Sequence, residues 1–262
     1  MTKFFKSLYL TFIYLFLYLP VIVLIIYSFN NSKFSAIWHG TTLKWYRELF
    51  HDIPLLIITG HSLLVGFIAA TVATFLGALG AVALFRYRFR GKKLLNGLIF
   101  ILIIVPDLVF GISLLILYAT IHFTLGFWTL LLAHITFCLP FVVVTVYSRL
   151  HDTDKNIFEA AKDLGASEFA IFSKIILPLM MPALIAGWLL SFTLSMDDVI
   201  ISFFVTGPSF QILPLYIYSL VHIGVTPEIN ALCTIIFGLT IVLVLISQCF
   251  IHRSNAIKAK SF

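Results

Sequence analysis

An all-α membrane protein of six transmembrane helices is the fold the sequence predicts, and three observations predict it. Hydrophobic residues fill 61% of the 262 positions and charged residues only 11%, with a mean hydropathy of +1.09. Soluble domains carry about 25% charge, and a chain this poor in it cannot cover a surface that faces water. The apolar residues gather into six runs: 8–29, 62–85, 94–120, 127–147, 179–203 and 229–251. Each is long enough for a helix to cross the ~30 Å hydrocarbon core. Fourteen of the seventeen lysines and arginines fall on one side of those runs. The positive-inside rule then puts both termini and loop 151–178 in the cytoplasm. Residues 1–262 read as a single transmembrane domain, with no soluble domain attached.

The first run follows Lys3 and Lys6. It is too long for a signal-peptide core, and no small-residue cleavage site follows at Tyr27-Ser28-Phe29-Asn30, so it reads as an uncleaved anchor. The outer segment 30–60 holds Lys33, Lys44 and Arg47 and a short amphipathic helix over 43–50. The second run ends at Arg86, Arg88, Arg90, Lys92 and Lys93. The third is read as one continuous span with Asp107 midway, directly after Pro106. The fifth carries Asp197 and Asp198 near its outer end. Segment 211–220, between Gly207-Pro208 and Pro227, is too short to span and reads as an interfacial or re-entrant helix. For both outer helices, aromatic anchoring at the headgroups and docking of a partner stay open. The sixth run leads to Arg253, Lys258 and Lys260.

The formal charge of +6 does not indicate nucleic-acid binding, because the basic residues lie in loops between apolar runs. Cys138, Cys233 and Cys249 all fall inside apolar runs, which argues against a disulfide framework or a metal site. No phosphate-cradling glycine loop, zinc-protease His-Glu-x-x-His or G-x-S-x-G elbow occurs. His122, His134 and His222 are scattered and read as packing residues. The chain has no energy-coupling site of its own and no cofactor, so uphill work needs a partner.

One hydrophilic stretch stands out, 151–178. With Arg149 it carries four basic residues and five acids between two apolar runs. Asn156 is a good N-cap for a helix through Leu164, with Glu159, Ala160, Ala161 and Lys162 favouring it. Gly165 stops that helix, since glycine takes the left-handed conformation without steric cost. Ser167 then caps a second helix over 168–176, and Leu177-Pro178 closes the unit. Two short helices bent at a glycine, with small alanines on the first, form a knob suited to a groove in a soluble partner. Glu159-Ala160-Ala161, then Gly165 after three intervening residues, and Ile175-Ile176-Leu177-Pro178 after nine more resemble the EAA loop of ABC-transporter permeases. The resemblance implies a type I importer permease (MetI-like) fold. It also implies that Glu159, Ala160, Ala161 and Gly165 dock on a cytoplasmic ATPase dimer, which binds ATP and Mg.

The remaining chemistry is in the intramembrane acids. A charge at the bilayer centre costs ~2.5–3.5 kcal/mol on insertion scales and marks a functional candidate. Gly187, Ser191, Ser195, Asp198 and Ser202 share one face of the fifth span; Asp107, Gly111 and Tyr118 share one of the third. A helix–helix seam or a wet pathway would reward such stripes, and lipid would not. No lysine or arginine lies in any span, so Asp107, Asp197, Asp198 and Tyr118 are candidates for the path of a cationic substrate. Residues 135–140, 147–149, 159–167, 190–198 and 206–208 resemble the spermidine/putrescine transport permeases, nearest the C-type of their two paired subunits. That likeness implies a bacterial inner-membrane importer with a second homologous permease and a periplasmic polyamine-binding protein. A permease for ferric iron or another cation is the alternative. An ion-coupled secondary carrier is a further one, and it would need no ATPase dock.

Overall fold

The computed structural model describes residues 2–32, 37–154, 156–221 and 226–259. Lys33, Lys155, His222 and Lys260 lie outside them, as does the side chain of Cys249. In chain order the helices are α1 (Thr2–Tyr27), α2 (Lys44–Leu49), α3 (Ile53–Arg86), α4 (Lys92–Ile104), α5 (Asp107–Thr120) and α6 (Phe127–His151). Then come α7 (Asn156–Asp163), α8 (Glu168–Ile171), a π-helical turn over Phe172–Ile176, and α9 (Leu177–Asp197). The last are α10 (Ile200–Val205), α11 (Leu213–Val221) and α12 (Pro227–Ala259). Among the described residues the only β pairing is an isolated bridge between Asn30 and Thr41. Among the described residues five helices are long and apolar enough to cross a membrane, or six if the bent pair α4 and α5 counts as one span.

That bent pair corrects the sequence reading of 94–120 as one rod. α4 and α5 meet at 113°. Proline disfavours the helical conformation of the residue before it, and Val105 is accordingly extended, with φ −61° and ψ 129°. Pro106 is extended too, with ψ 138°. Two consecutive extended residues turn the chain and make Asp107 the first residue of a helix, not the middle of one. The expected fifth span, 179–203, is also interrupted. Asp198 is extended, with ψ 121°, and separates α9 from the short α10. At the other end of α9, Leu177-Pro178 does not close the preceding helix. Pro178 lacks an N–H, and the backbone adapts by a π turn in which the Leu177 N–H donates to the Phe172 carbonyl. The helix thereby runs unbroken from Glu168 to Asp197.

The chain divides into two compact units. The first comprises 1–58 and 216–262. In it α12 packs on α1 and α2. The apolar side chains of α1 stay outward, as they do when the solvent is lipid. Asn30 organises the loop before α2: its Nδ2 donates to the Ile37 carbonyl, and its Oδ1 accepts from the His39 and Ser32 amides. The Trp45 indole donates to the Asn30 carbonyl at 2.6 Å. α2 thus buries Trp45 and Leu49 while Lys44 and Glu48 pair at 3.4 Å on its wet face, the amphipathic helix expected there.

The second unit comprises 59–215. Its centre is α6 against α9, with residues of α3 in the same apolar cluster. Val142 is the wedge. A Cβ placed on Gly77 of α3 would lie 2.7 Å from Val142 Cγ1, and one on Gly187 of α9 would lie 3.4 Å from the same atom. Small residues let membrane helices approach where no hydrophobic effect drives them together. Toward the other end of α6, a second cluster gathers Val65, Tyr118, Leu130, Ala133, Ile201 and Val205. There Gly111 of α5 sits against Phe204 and the Ile201 backbone of α10.

Candidate functional site

The stretch 151–178 folds into the bent pair of helices that its sequence implies. Asn156 opens α7 as a helical residue instead of capping it; its amide donates to Asp154 Oδ1 at 3.0 Å. At the far end Gly165 has φ +80°. The Gly165 amide donates to the Lys162 carbonyl at 2.8 Å and the Ala166 amide to the Ala161 carbonyl at 3.0 Å. This is a Schellman closure, which needs a left-handed residue where Gly165 stands. Ser167 then caps α8, its hydroxyl accepting from the Ala170 amide at 3.2 Å. The inner face of α7 is set by Phe158, whose ring meets Phe85 edge-on at 5.8 Å, and by Ala161 in the same apolar cluster. Glu168 pairs with Arg86 and, at 3.0 Å, with Lys162. In this aqueous loop the Lys162 hydrogen bond first, then the charge of Arg86, hold the Glu168 carboxyl below the usual carboxylate range.

Of the four residues expected to dock, Glu159, Ala160 and Gly165 are exposed on the outer face and Ala161 is turned inward. Sequence reasoning passed over two others. Leu164 and Phe169 flank the bend and are 89% and 79% exposed. Their signal was two large apolar side chains in the one hydrophilic stretch, on either side of the glycine. An apolar pair at the tip of a charged loop fits a surface that is covered in use.

The fifth-span stripe is a buried seam. Gly187, Ser191, Ser195, Asp198 and Ser202 are all buried, and they face α6. Asp198 caps α10: Oδ1 accepts from the Ile201 amide at 3.1 Å, and Oδ2 from the Ser202 amide at 2.8 Å and its hydroxyl at 2.7 Å. His134 of α6 completes the cluster. Its Nδ1 lies 2.6 Å from Ser195 Oγ, and its Nε2 lies 3.0 Å from Ser202 Oγ and 3.4 Å from Asp198 Oδ2. Since the Ser202 hydroxyl donates to Asp198, a neutral imidazole with its proton on Nε2 donates to Ser202 and accepts from Ser195. One buried relay therefore runs Ser195, His134, Ser202, Asp198. His134 packs and is satisfied, as expected of a span histidine, but it also answers the acid that the sequence left without a partner. The signal was available: His134 is the histidine on the neighbouring span, four residues before Cys138, whose thiol meets the Ser191 carbonyl of the same stripe at 3.4 Å.

The other expected path residues separate into two groups. Tyr118 is buried among the residues of the second apolar cluster and donates to the Thr129 carbonyl at 3.1 Å. Asp107 and Asp197 are exposed, each at a helix break, Asp107 opening α5 and Asp197 ending α9. Asp107 and Asp198 both lie within electrostatic reach of Asp197. Among the described residues no lysine or arginine pairs with any of the three. Two exposed carboxylates near each other, with a third buried behind them, can hold a cation bearing more than one charge. Among the described residues no His, Cys, Asp and Glu cluster has the makings of a metal site.

Residues 73–255 match the family described as binding-protein-dependent transport system inner membrane component. The chain is 58% identical over 240 residues to the spermidine/putrescine transport system permease protein PotC of Escherichia coli K12, covering 92% of this chain and 91% of that one. It is 50% identical over 256 residues to the Haemophilus influenzae protein of the same name, covering 97% and 100%. Identity to the E. coli putrescine transport system permease protein PotI is 46% over 234 residues, covering 85% and 82%. Among solved structures, a chain of a bacterial alginate ABC transporter superposes with a TM-score of 0.71 at 16% identity, covering 97% of this chain and 94% of that one. A chain of the MetNI methionine ABC transporter does so with a TM-score of 0.60 at 16% identity, covering 79% and 97%. At such identities these two show the fold alone.

Proposed function

The chain belongs to the family of binding-protein-dependent transport system inner membrane components, and from that premise we propose that it is a permease subunit of an ATP-driven importer for polyamines. The observation that carries the reading is identity of 58% to a spermidine/putrescine permease across nearly the whole length of both chains. The protein is a multi-pass protein of the bacterial inner membrane. In this reading it forms half of the path beside a second homologous permease, receives substrate from a periplasmic polyamine-binding protein, and performs no chemistry itself. ATP and Mg bind to a separate ATPase dimer, on which the bend at Gly165 docks. Movement of that bend is what the ATPase exchanges for access to one side of the membrane or the other.

A polyamine is a flexible chain of ammonium groups, and the exposed Asp107 and Asp197 offer it carboxylates that no basic residue of the described chain neutralises. Hydrogen bonds to charged groups are worth ~1.5–3 kcal/mol and neutral ones ~0.5–1.5 kcal/mol. Replacing one acid by its amide is therefore expected to lower uptake at low substrate about tenfold. Asp107→Asn and Asp197→Asn should each show this with labelled putrescine and spermidine, while melting temperature and ATPase association stay at wild-type values. Wild-type uptake in both variants would remove these acids from the path.

Orientation has its own test. An impermeant thiol reagent added to intact cells should leave an Asp154→Cys variant unlabelled and label a Ser209→Cys variant. The opposite pattern would invert the topology and take the docking bend away from the ATP.

A further inference from the structure

The turn between α3 and α4 carries five cations, Arg86, Arg88, Arg90, Lys92 and Lys93. Gly91, with φ +91°, reverses the chain into α4. Two cavities open beside this turn. One, of about 490 Å³, is shared with the docking loop and has Arg86, Lys162 and one side of Arg88 and Lys92 in its wall. Glu168 pairs with both of those cations, and Glu159 also lines the space. The other, of about 540 Å³, differs. Arg88, Lys92, Lys93 and Asn96 line it against Leu84, Phe89 and Tyr147, and no carboxylate does. Among the described residues no acid pairs with Arg88, Lys92 or Lys93.

We propose that this second cavity binds the phosphodiester headgroup of an anionic phospholipid. Three cations that no acid pairs with, Lys92 among them donating to the Tyr87 carbonyl at 3.1 Å, gather with an amide around one hollow and suit a phosphate better than scattered loop charges do, since they act on it together. The position suits a lipid. The cluster follows directly on the last apolar turn of α3, at the level where headgroups lie. Leu94, Leu95 and Leu98 continue along α4 with their side chains exposed, offering a track for an acyl chain. A free phosphate shares the headgroup chemistry but gains nothing from that track or from the Leu84 and Phe89 wall. A purely solvated basic face would need neither the hollow nor the apolar wall.

The test uses the assembled complex in detergent, incubated with phosphatidylglycerol or phosphatidylethanolamine and examined by native mass spectrometry. Phosphatidylglycerol is expected to be retained in preference to phosphatidylethanolamine. The double variant Arg88→Gln/Lys93→Gln should lose retention by roughly fivefold per charge removed. Arg90→Gln takes a charge from the same turn but not from the cavity wall, and should retain the lipid. Because removing two loop cations can disturb insertion, Asn96→Asp provides a second variant. It sets a carboxylate in the wall with every cation in place and should also lose the lipid. The proposal is overturned if both lipids are retained alike, if Arg90→Gln loses as much as the double variant, or if Asn96→Asp retains the lipid fully. Displacement of the lipid by inorganic phosphate at tenfold excess would also overturn it, in favour of a soluble-anion site.

Discussion

Gly165→Val is expected to abolish uptake while leaving the protein inserted and folded. The position has φ +80°, and a Cβ there would meet nothing within 4 Å. Space is therefore not the obstacle; the backbone is. A left-handed residue with a Cβ costs ~1–2 kcal/mol, more for a β-branched one. The cheapest relief is to abandon the Schellman closure, which swings α8 relative to α7 and moves Leu164 and Phe169 out of register. The closure joins Ala161 and Ala166 at the edge of the apolar cluster, most of which belongs to α3, α6 and α9, so membrane levels should stay near normal. ATPase association and stimulation by substrate should fall about tenfold or more, since ~1.4 kcal/mol is a factor of ten. Asn visits the left-handed region readily, so Gly165→Asn should restore much of the activity. Rescue by Asn separates a backbone requirement from a requirement for a small surface. If Gly165→Val imports at the wild-type rate, the bend is not the coupling element.

Asp198→Ala is expected to be among the most destabilising single substitutions in the chain. It removes the acceptor of two backbone amides, a serine hydroxyl and a histidine contact at once. Leaving a buried donor without its acceptor costs ~1–3 kcal/mol in soluble proteins, and Asp198 serves several. Interhelical hydrogen bonds in membranes average only ~0.6 kcal/mol, because the unfolded chain in lipid also finds partners. The backbone caps are local to the break, and their loss leaves buried amides unsatisfied whatever the lipid does. An intermediate loss of about 2–4 kcal/mol is the expected result. His134→Ala should cost less, since Ser202 still satisfies the acid. Asp198→Asn should be only partly tolerated, because the Ile201 and Ser202 amides donate to different carboxylate oxygens and the new NH2 would face one of those donors. A thermal melt of the purified complex decides: an unshifted Asp198→Ala would mean that the seam does not hold α10 in place. Impaired uptake in Asp198→Asn, taken alone, would say nothing about substrate, whereas Asp107→Asn and Asp197→Asn speak to it directly.

Local chemistry was legible in the sequence wherever a single residue decides the conformation. Gly165 and Ser167 took the conformations their types favour, because a bend in water is governed by backbone preference and a nearby cap. The short α2 and α11 were legible through their flanks. The apolar runs located the long helices, since bilayer thickness dictates their length. Continuity of the spans was not legible. Hydropathy is blind to direction, so 94–120 reads as one rod although Pro106 turns it by 113°. Proline inside α6, at Pro140, leaves that helix whole, so proline alone does not announce a break. The break at Asp198 is harder still. It is stabilised by His134, which lies 64 positions away in the chain, and the polarity of the stripe could not say whether water or another helix faced it. The burial of Asp198 and the exposure of Asp197 keep the order that a continuous helix would have given, so the stripe was legible although the break was not.

The unbroken helix from Glu168 to Asp197 has a mechanical meaning. At ~1.5 Å per residue it is a beam about 45 Å long, with the bend at Gly165 beside one end and an exposed acid at the other. A hydrogen-bonded rod has no slack. Pivoting about its middle by roughly 10° would carry each end about 4 Å, in opposite directions. The π turn keeps the beam whole where Pro178 would otherwise have hinged it. The joint at Asp198 ends it, so α10 need not follow. Force applied at Phe169 is thereby delivered at Asp197 as displacement, with the sign reversed, and a tiller works the same way.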